Sequence, residues 1–257
     1  SVSDEHGAVT HYVATQTDIT QHKAAEDQIR QLAFYDPLTS LPNRRLLLDR
    51  LQHAMAGSAR SSAYGALLFI DLDHFKNLND TLGHGMGDLL LQQVSSRLLA
   101  TVREEDTVAR LGGDEYVVML EGLDPIRQQA ASRAIQVGEK IVAALNAPYR
   151  LSGIEYHSTP SVGVTLFCGH EVEVDELLKQ ADLAMYQAKG AGRNALRFFD
   201  PLMQAAVTRR AALESDLRQG LLLGQFQLYY QPQVAASGAV LGAEALIRWH
   251  HPERGMV

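Results

Sequence analysis

Val108-Ala109-Arg110-Leu111-Gly112-Gly113-Asp114-Glu115-Tyr116-Val117-Val118-Met119-Leu120 reads as two short apolar strands folded about a glycine pair. Two glycines between β-branched runs are a hairpin signal. Upstream, Ala66-Leu67-Leu68-Phe69-Ile70 is a continuous apolar run, as expected of a buried strand. A further strand is expected within 156–167, around Val162-Gly163-Val164. Helical patterns separate these strands, at 44–55, 86–101, 126–145 and 174–189. Alternating helices and strands with one hairpin predict an α/β (α+β) domain whose mixed sheet is mainly antiparallel and flanked by helices.

Composition agrees with a folded chain. The 257 residues are 46% hydrophobic and 21% charged. A net charge of -7 excludes a sequence-independent nucleic-acid binder, which needs a basic surface to replace counterions. A small nucleotide stays allowed, because a pocket needs only a few placed cations. A single cysteine, Cys168, excludes an internal disulfide framework and predicts a cytoplasmic setting. No apolar run is long enough to span a bilayer, so no membrane contact is expected of this stretch. Both ends read as pieces of further domains, which leaves open an inner-membrane anchor elsewhere in a longer parent protein.

Three stretches carry candidate chemistry. In Phe69-Ile70-Asp71-Leu72-Asp73-His74-Phe75-Lys76-Asn77-Leu78-Asn79-Asp80 a buried strand runs out into two acids at alternate positions, then a lysine and an asparagine. Acids at a strand end suit a hard divalent cation, and a nearby lysine suits a phosphate. A solvated loop with ordinary charges fits the same residues. Gly83-His84-Gly85-Met86-Gly87-Asp88 leads into a helix, with Asp88 expected in its first turn. Its glycines permit close backbone approach, although a simple helix cap has the same composition. At the hairpin, Gly112 and Gly113 are expected at the tip, exposing backbone N–H groups that suit a triphosphate. Asp114 would then share a cation with Asp71. An ordinary turn with exposed acids is the alternative.

Taken together, these stretches resemble the GGDEF diguanylate cyclase family. Arg110 to Tyr116 resembles its signature hairpin, and Asp36-Pro37-Leu38-Thr39-Ser40-Leu41-Pro42-Asn43-Arg44 its opening segment. Asp71 to Asp88 resembles its metal and guanine segment, and Ser161-Val162-Gly163 a later strand. Ala181-Asp182-Leu183-Ala184-Met185-Tyr186-Gln187-Ala188-Lys189-Gly190-Ala191-Gly192-Arg193-Asn194 resembles its closing helix and loop. The resemblance spans about 34–199 and implies a nucleotidyl-cyclase or polymerase-palm-like fold. It implies magnesium, or manganese in its place, held by Asp71, the Leu72 carbonyl and Asp114. Glu115 is then a second acidic ligand or a proton handler. Asn79 and Asp88 would read the guanine edge, and Phe75 and Lys76 would meet the phosphates near Gly112 and Gly113. Lys189 and Arg193 would close over the far end. Tyr116 stands where the family usually has phenylalanine, and its ring is expected to fill the same space.

The implied reaction condenses two GTP into cyclic di-GMP and two pyrophosphates. One domain holds one GTP, so a homodimer is expected to complete the site. The strongly helix-forming stretch 18–33 is a candidate signalling linker between sensor and catalytic domain. Arg103 and Asp106 match the family's inhibitory product site, so cyclic di-GMP is also expected as a ligand; a charged surface loop is the simpler reading. A GTP sensor without catalysis, or a purely structural pairing module, are the competing functions.

The flanks resemble other families. The strand-like run at 11–17, with Asp18-Ile19-Thr20 after it, resembles the close of a PAS sensor domain. Tyr229-Tyr230-Gln231-Pro232 and Glu244-Ala245-Leu246-Ile247-Arg248-Trp249 resemble the opening of an EAL phosphodiesterase. That resemblance implies a β/α barrel of about 250 residues. It makes Glu244 a metal ligand and has Gln231 and Arg248 touch a dinucleotide. The expected domains are therefore 1–21, 22–33, 34–200 and 201–257. The last is expected to be without phosphodiesterase activity, and poorly ordered unless it packs on a neighbour.

Overall fold

The run around Leu68 lies in the middle strand of a five-stranded sheet. The computed structural model describes residues 2–3, 6, 9–11, 20, 31–200, 213, 216–236, 239–252 and 255–256. It divides into two units, Ser1–Arg197 and Phe198–Val257. The first contains β1 (Val2–Ser3), β2 (Val9–His11), α1 (Arg44–Ser61), β3 (Tyr64–Leu72), α2 (Phe75–Leu82), α3 (His84–Thr101), β4 (Thr107–Gly112), β5 (Glu115–Asp124), α4 (Arg127–Asn146), β6 (Tyr149–Leu151), β7 (Ile154–Tyr156), β8 (Pro160–Phe167) and α5 (Val174–Gly190). β9 (Leu196–Phe198) stands at the boundary.

The main sheet has the order β4-β5-β3-β8-β9, and β3 pairs antiparallel with both β5 and β8. Because strand side chains alternate, the two faces of β3 carry different neighbours. Leu67 and Phe69 share one core with Leu47, Leu51 and Met55 of α1 and Leu177, Ala181 and Met185 of α5. Leu68 points the other way, towards Gly138 of α4. A Cβ added at Gly163 of β8 would overlap the Ala181 carbonyl oxygen and the Met185 amide nitrogen. Only glycine lets α5 approach β8 so closely, and that approach sets where the end of α5 falls.

Several expectations need correction. The alternative of a solvated loop after Asp73 fails, and a helix that the sequence reading did not assign stands there: 75–82 is α2, with Phe75 and Leu78 buried. Helix α3 begins at His84, so Asp88 is its fifth residue, beyond the first turn. The hairpin tip is Gly113–Asp114, because Gly112 still pairs with Glu115. The β6–β7 hairpin and β9 had no expected counterpart.

At the N-terminal end β2 pairs with β1, while residues 12–19 of the PAS-like segment lie outside the described residues. So does most of the linker 18–33; residues 31–34 are helical. In the second unit, 216–222 is helical. In the described part of the tail, β10 (Phe226–Val234), β11 (Val240–His251) and β12 (Gly255–Met256) form an antiparallel sheet. Trp249 is buried there, stacked on Phe226 at 5.4 Å and edge-on to His251 at 4.9 Å. Among the described residues, no helix is long and apolar enough to cross a membrane.

Candidate functional site

Asp71 is the second-last residue of β3 and stands in register between Glu115 of β5 and Ser161 of β8. The strand carries its carboxylate to the end of the sheet's middle strand, where the neighbouring strands bury it. Its Oδ2 lies 2.7 Å from Lys189 Nζ, at the last turn of α5. Burial pushes the Asp71 carboxyl up, Lys189 opposes this, and Asp114 and Glu115 add to it, leaving it at about 6. Glu115 is likewise pushed up, by burial first and then by Asp114 and Asp182. Three acids from a strand end and a distant hairpin thus share one local field.

The hairpin that delivers two of them is braced from behind. Gly112 and Gly113 have φ of 148° and 51°, left-handed values that a residue with a Cβ resists. Arg110 Nε and Nη2 donate to the Gly113 carbonyl at 3.0 and 2.7 Å, and Nη1 donates to Asp36 Oδ1 at 2.9 Å. Asp36 also accepts from the Thr39 amide at 2.9 Å and hydroxyl at 2.6 Å. Burial raises the Asp36 carboxyl, but these bonds outweigh it and hold it below its ordinary value. The opening segment and the hairpin are therefore one hydrogen-bonded assembly. Tyr116 is fully buried, and its hydroxyl donates to the Leu91 carbonyl at 3.0 Å. The ring fills the core as expected, and α3 supplies an acceptor for the added hydroxyl.

Asn79 on α2 and Asp88 on α3 lie on adjacent packed helices. Asn79 Oδ1 is buried without a hydrogen-bond partner, and a Cβ at Gly87 would overlap it. Gly87 therefore makes room for Asn79, and Asp88 beside it is exposed. Phe75 is buried at the head of α2, whereas Lys76 is exposed to solvent.

Lys189 joins Asp71 directly. Arg193, 49% exposed at its side chain, has Nε 4.0 Å from Asp73 Oδ1. Asp73 itself is 3% exposed and holds the loop after α5, a function that was not foreseen. Asp36 and Arg110 pair with one another across 74 residues, and no local pattern reports such a pairing.

Arg103 and Asp106 sit in the turn before β4. Asp106 Oδ2 accepts from the Arg103 amide at 3.0 Å, and Oδ1 from the Glu121 amide at 3.4 Å. The Arg103 guanidinium is exposed, with Nη1 3.7 Å from Glu105 Oε1. It lines a cleft with Ser58, Ser61, Glu121 and Gly122. The arginine is thus available to a ligand, while the aspartate is already shaping the turn.

In the tail, Gln231 of β10 faces Glu244 of β11, and Arg248 lies four residues further along β11. Side-chain alternation puts all three on one face of the hairpin.

Among the described residues, no three His, Cys, Asp or Glu side chains are arranged to hold a metal ion by themselves. Magnesium is usually bound by one or two carboxylates plus waters and substrate phosphates. The acids around Asp71, faced by Lys189 and with Arg44 acting on Glu115, supply hard oxygen donors for such an ion.

Comparison with known proteins follows the same lines. The model of the family described as diguanylate cyclase, GGDEF domain, matches residues 33–195, and that of the EAL domain matches 214–257. The bifunctional diguanylate cyclase/cyclic di-GMP phosphodiesterase MucR of Pseudomonas aeruginosa is 44% identical over 234 residues, 91% of this chain and 33% of that protein. The cyclic di-GMP phosphodiesterase PdeR of Escherichia coli is 36% identical, over 95% of this chain and 36% of that protein. The chain thus spans about a third of the length of these relatives. The solved GGDEF domain of TpbB (YfiN) from Pseudomonas aeruginosa superposes with a TM-score of 0.60 at 36% identity, covering 70% of this chain and 99% of that one. The coiled coil and GGDEF domain of DgcB from Caulobacter crescentus, solved with c-di-GMP, gives 0.63 at 26% identity, covering 70% and 93%. Sequence, sheet order and these likenesses agree that the chain belongs to the GGDEF diguanylate cyclase family.

Proposed function

We propose that this chain condenses two GTP into cyclic di-GMP and two pyrophosphates, with one nucleotide in each of two facing copies. Asp71, the Leu72 carbonyl, Asp114 and Glu115 would hold magnesium. The ion would polarise the α-phosphate and acidify the attacking hydroxyl. Asn79 and Asp88 read the guanine edge, the carboxylate accepting from the base N–H groups. Lys76 and Phe75, with the hairpin amides of Gly112 and Gly113, meet the phosphates. Lys189 and Arg193 neutralise the leaving pyrophosphate. The 3′-hydroxyl of one GTP attacks the α-phosphorus of the other, the bond to pyrophosphate breaks, and the reverse attack closes the ring. Glu115 is either the second acidic ligand or the acceptor of the hydroxyl proton. Arg103 and Asp106 bind product and slow the cycle.

The observation that carries this reading is the meeting of Asp71 and Glu115 as cross-strand neighbours, with Lys189 2.7 Å from Asp71. The test is incubation of the full chain with GTP and magnesium, followed by chromatography. Cyclic di-GMP and pyrophosphate should form at a rate that rises faster than linearly with protein concentration while the copies are mostly apart. A second reading, a GTP sensor serving an attached phosphodiesterase, is favoured by the likeness to PdeR, which is named a phosphodiesterase alone. GTP bound but left unconverted at high protein concentration would support that second reading.

A further inference from the structure

We infer that Asp73 is a positioning residue that holds the loop after α5 in the one conformation that aims Arg193 at the nucleotide phosphates. The inference rests on the proposed phosphate role of Arg193 and Lys189. Asp73 continues β3 by donating its amide to the Thr159 carbonyl at 2.7 Å. Its carboxylate accepts from Thr159 Oγ1 at 2.6 Å, Ser161 Oγ at 2.8 Å and the Asn194 amide at 3.0 Å, and Arg193 Nε stands 4.0 Å away. A carboxylate taken this far from water persists only where donors replace its hydration, and here three do.

The loop it grips is conformationally expensive. Gly192, Arg193 and Asn194 have φ of 113°, 65° and 45°, three successive left-handed values of which two fall on residues with a Cβ. Such backbone persists only where its surroundings over-determine it. The Arg193 amide donates to the Ala188 carbonyl at 3.1 Å, and Asn146 Nδ2 donates to Asn194 Oδ1 at 2.9 Å. The bond from the Asn194 amide to Asp73 ties this turn to the strand that also carries Asp71.

The two acids on this strand end therefore divide the work. Asp71 has one cationic partner, Lys189, which a nucleotide and its ion can draw away. Asp73 is closed by protein donors and is not offered to the ligand. It sets the direction of Arg193 before the nucleotide arrives.

The test compares two ligands of the full chain with magnesium present: the α,β-methylene analogue of GTP, which cannot be cyclised, and guanosine, which has no phosphates. Asp73→Asn should weaken the analogue about tenfold and leave guanosine unchanged. In an Arg193→Ala background, Asp73→Asn should weaken the analogue little further, because the arginine it positions is gone. Equal weakening of both ligands, unchanged affinity for both, or full additivity with Arg193→Ala would overturn the inference. If Asp73→Asn does not fold, Thr159→Val combined with Ser161→Ala removes two donors instead. The expected result is then analogue affinity about threefold weaker with guanosine unchanged, and any other result overturns the inference. If Arg193→Ala and Lys189→Ala both leave the analogue unaffected, the phosphate reading itself fails. If they weaken it and Asp73→Asn does not, only the positioning role fails.

Discussion

The sheet around Asp71 and the tail hairpin of β10 and β11 both carry family motifs on antiparallel strands, yet they treat those motifs differently. Around Asp71 the sheet is covered by helices: Asp71 is buried and meets Lys189, Glu115 is half-buried, and both carboxyls are pushed up. On the tail, Gln231 and Glu244 are aligned but exposed, and so are Leu228, Tyr230, Leu241 and Ile247. Register alone brings residues together; enclosure is what shifts their chemistry. Water screens exposed charges from one another, whereas crowded, partly enclosed acids are relieved by a cation or by a proton.

The largest effect should come from removing that cluster. Asp114→Asn should lower the cyclisation rate by about 10³-fold, measured as pyrophosphate release at saturating GTP. Leu228→Ser on the tail should leave the same rate unchanged. Equal losses from both would mean that the tail contributes to the site and that the contrast is false. Next in size is backbone proximity. Gly163→Ala should lower stability by about 3 kcal/mol in urea titration, because the added Cβ meets the backbone of α5. It should also lower GTP affinity, because Lys189 ends that helix. Gly242→Ala on β11, whose nearest atom is the flexible Gln233 Oε1 at 3.9 Å, should change stability by less than about 0.5 kcal/mol.

Much of this contrast could be read from the residues alone. The apolar run at 66–70 and the glycines at 112–113 announce a buried strand and a hairpin, because both patterns are local. The helix 75–82 escaped, because eight residues with only Phe75 and Leu78 buried give too short a period. The sequence shows Asp73 only as one of two strand-end acids, since its partners Thr159 and Asn194 lie 86 and 121 residues away. In the tail, Trp249, Phe226 and His251 pack a small cluster of their own, which the motif residues do not announce.

Proton competition should be smaller but sharper. Asp71 sits at about 6 in the fold against an ordinary 3.8, so between these values the folded chain holds more protons than the unfolded one. Stability should therefore fall as pH rises from about 4 to 6 and level off above, and Asp71→Asn should remove this contribution. Binding runs the other way. Below about pH 6 a proton competes with the cation, so affinity for magnesium and the α,β-methylene analogue should drop up to tenfold per pH unit. Burial is the main cause of the shift, Lys189 opposes it, and Asp114 and Glu115 add to it, so Glu115→Gln should move the midpoint down. An unmoved midpoint would show that the acids do not share a field.

The smallest expected effect concerns a hydroxyl. Tyr116→Phe restores the ring most common in the family and deletes the donor to the Leu91 carbonyl. That carbonyl also accepts from Ser95 Oγ at 2.7 Å, so it is not orphaned. The cost should be about 1 kcal/mol in urea titration, the net worth of a buried hydrogen bond, with the cyclisation rate unchanged. Tyr230→Phe, on a ring 66% exposed, should cost nothing measurable. A larger loss at Tyr116 would mean that the hydroxyl couples α3 to the hairpin that carries Asp114, since both elements meet at this one side chain. The enclosure around Asp71 would then extend through the core to the far side of the sheet.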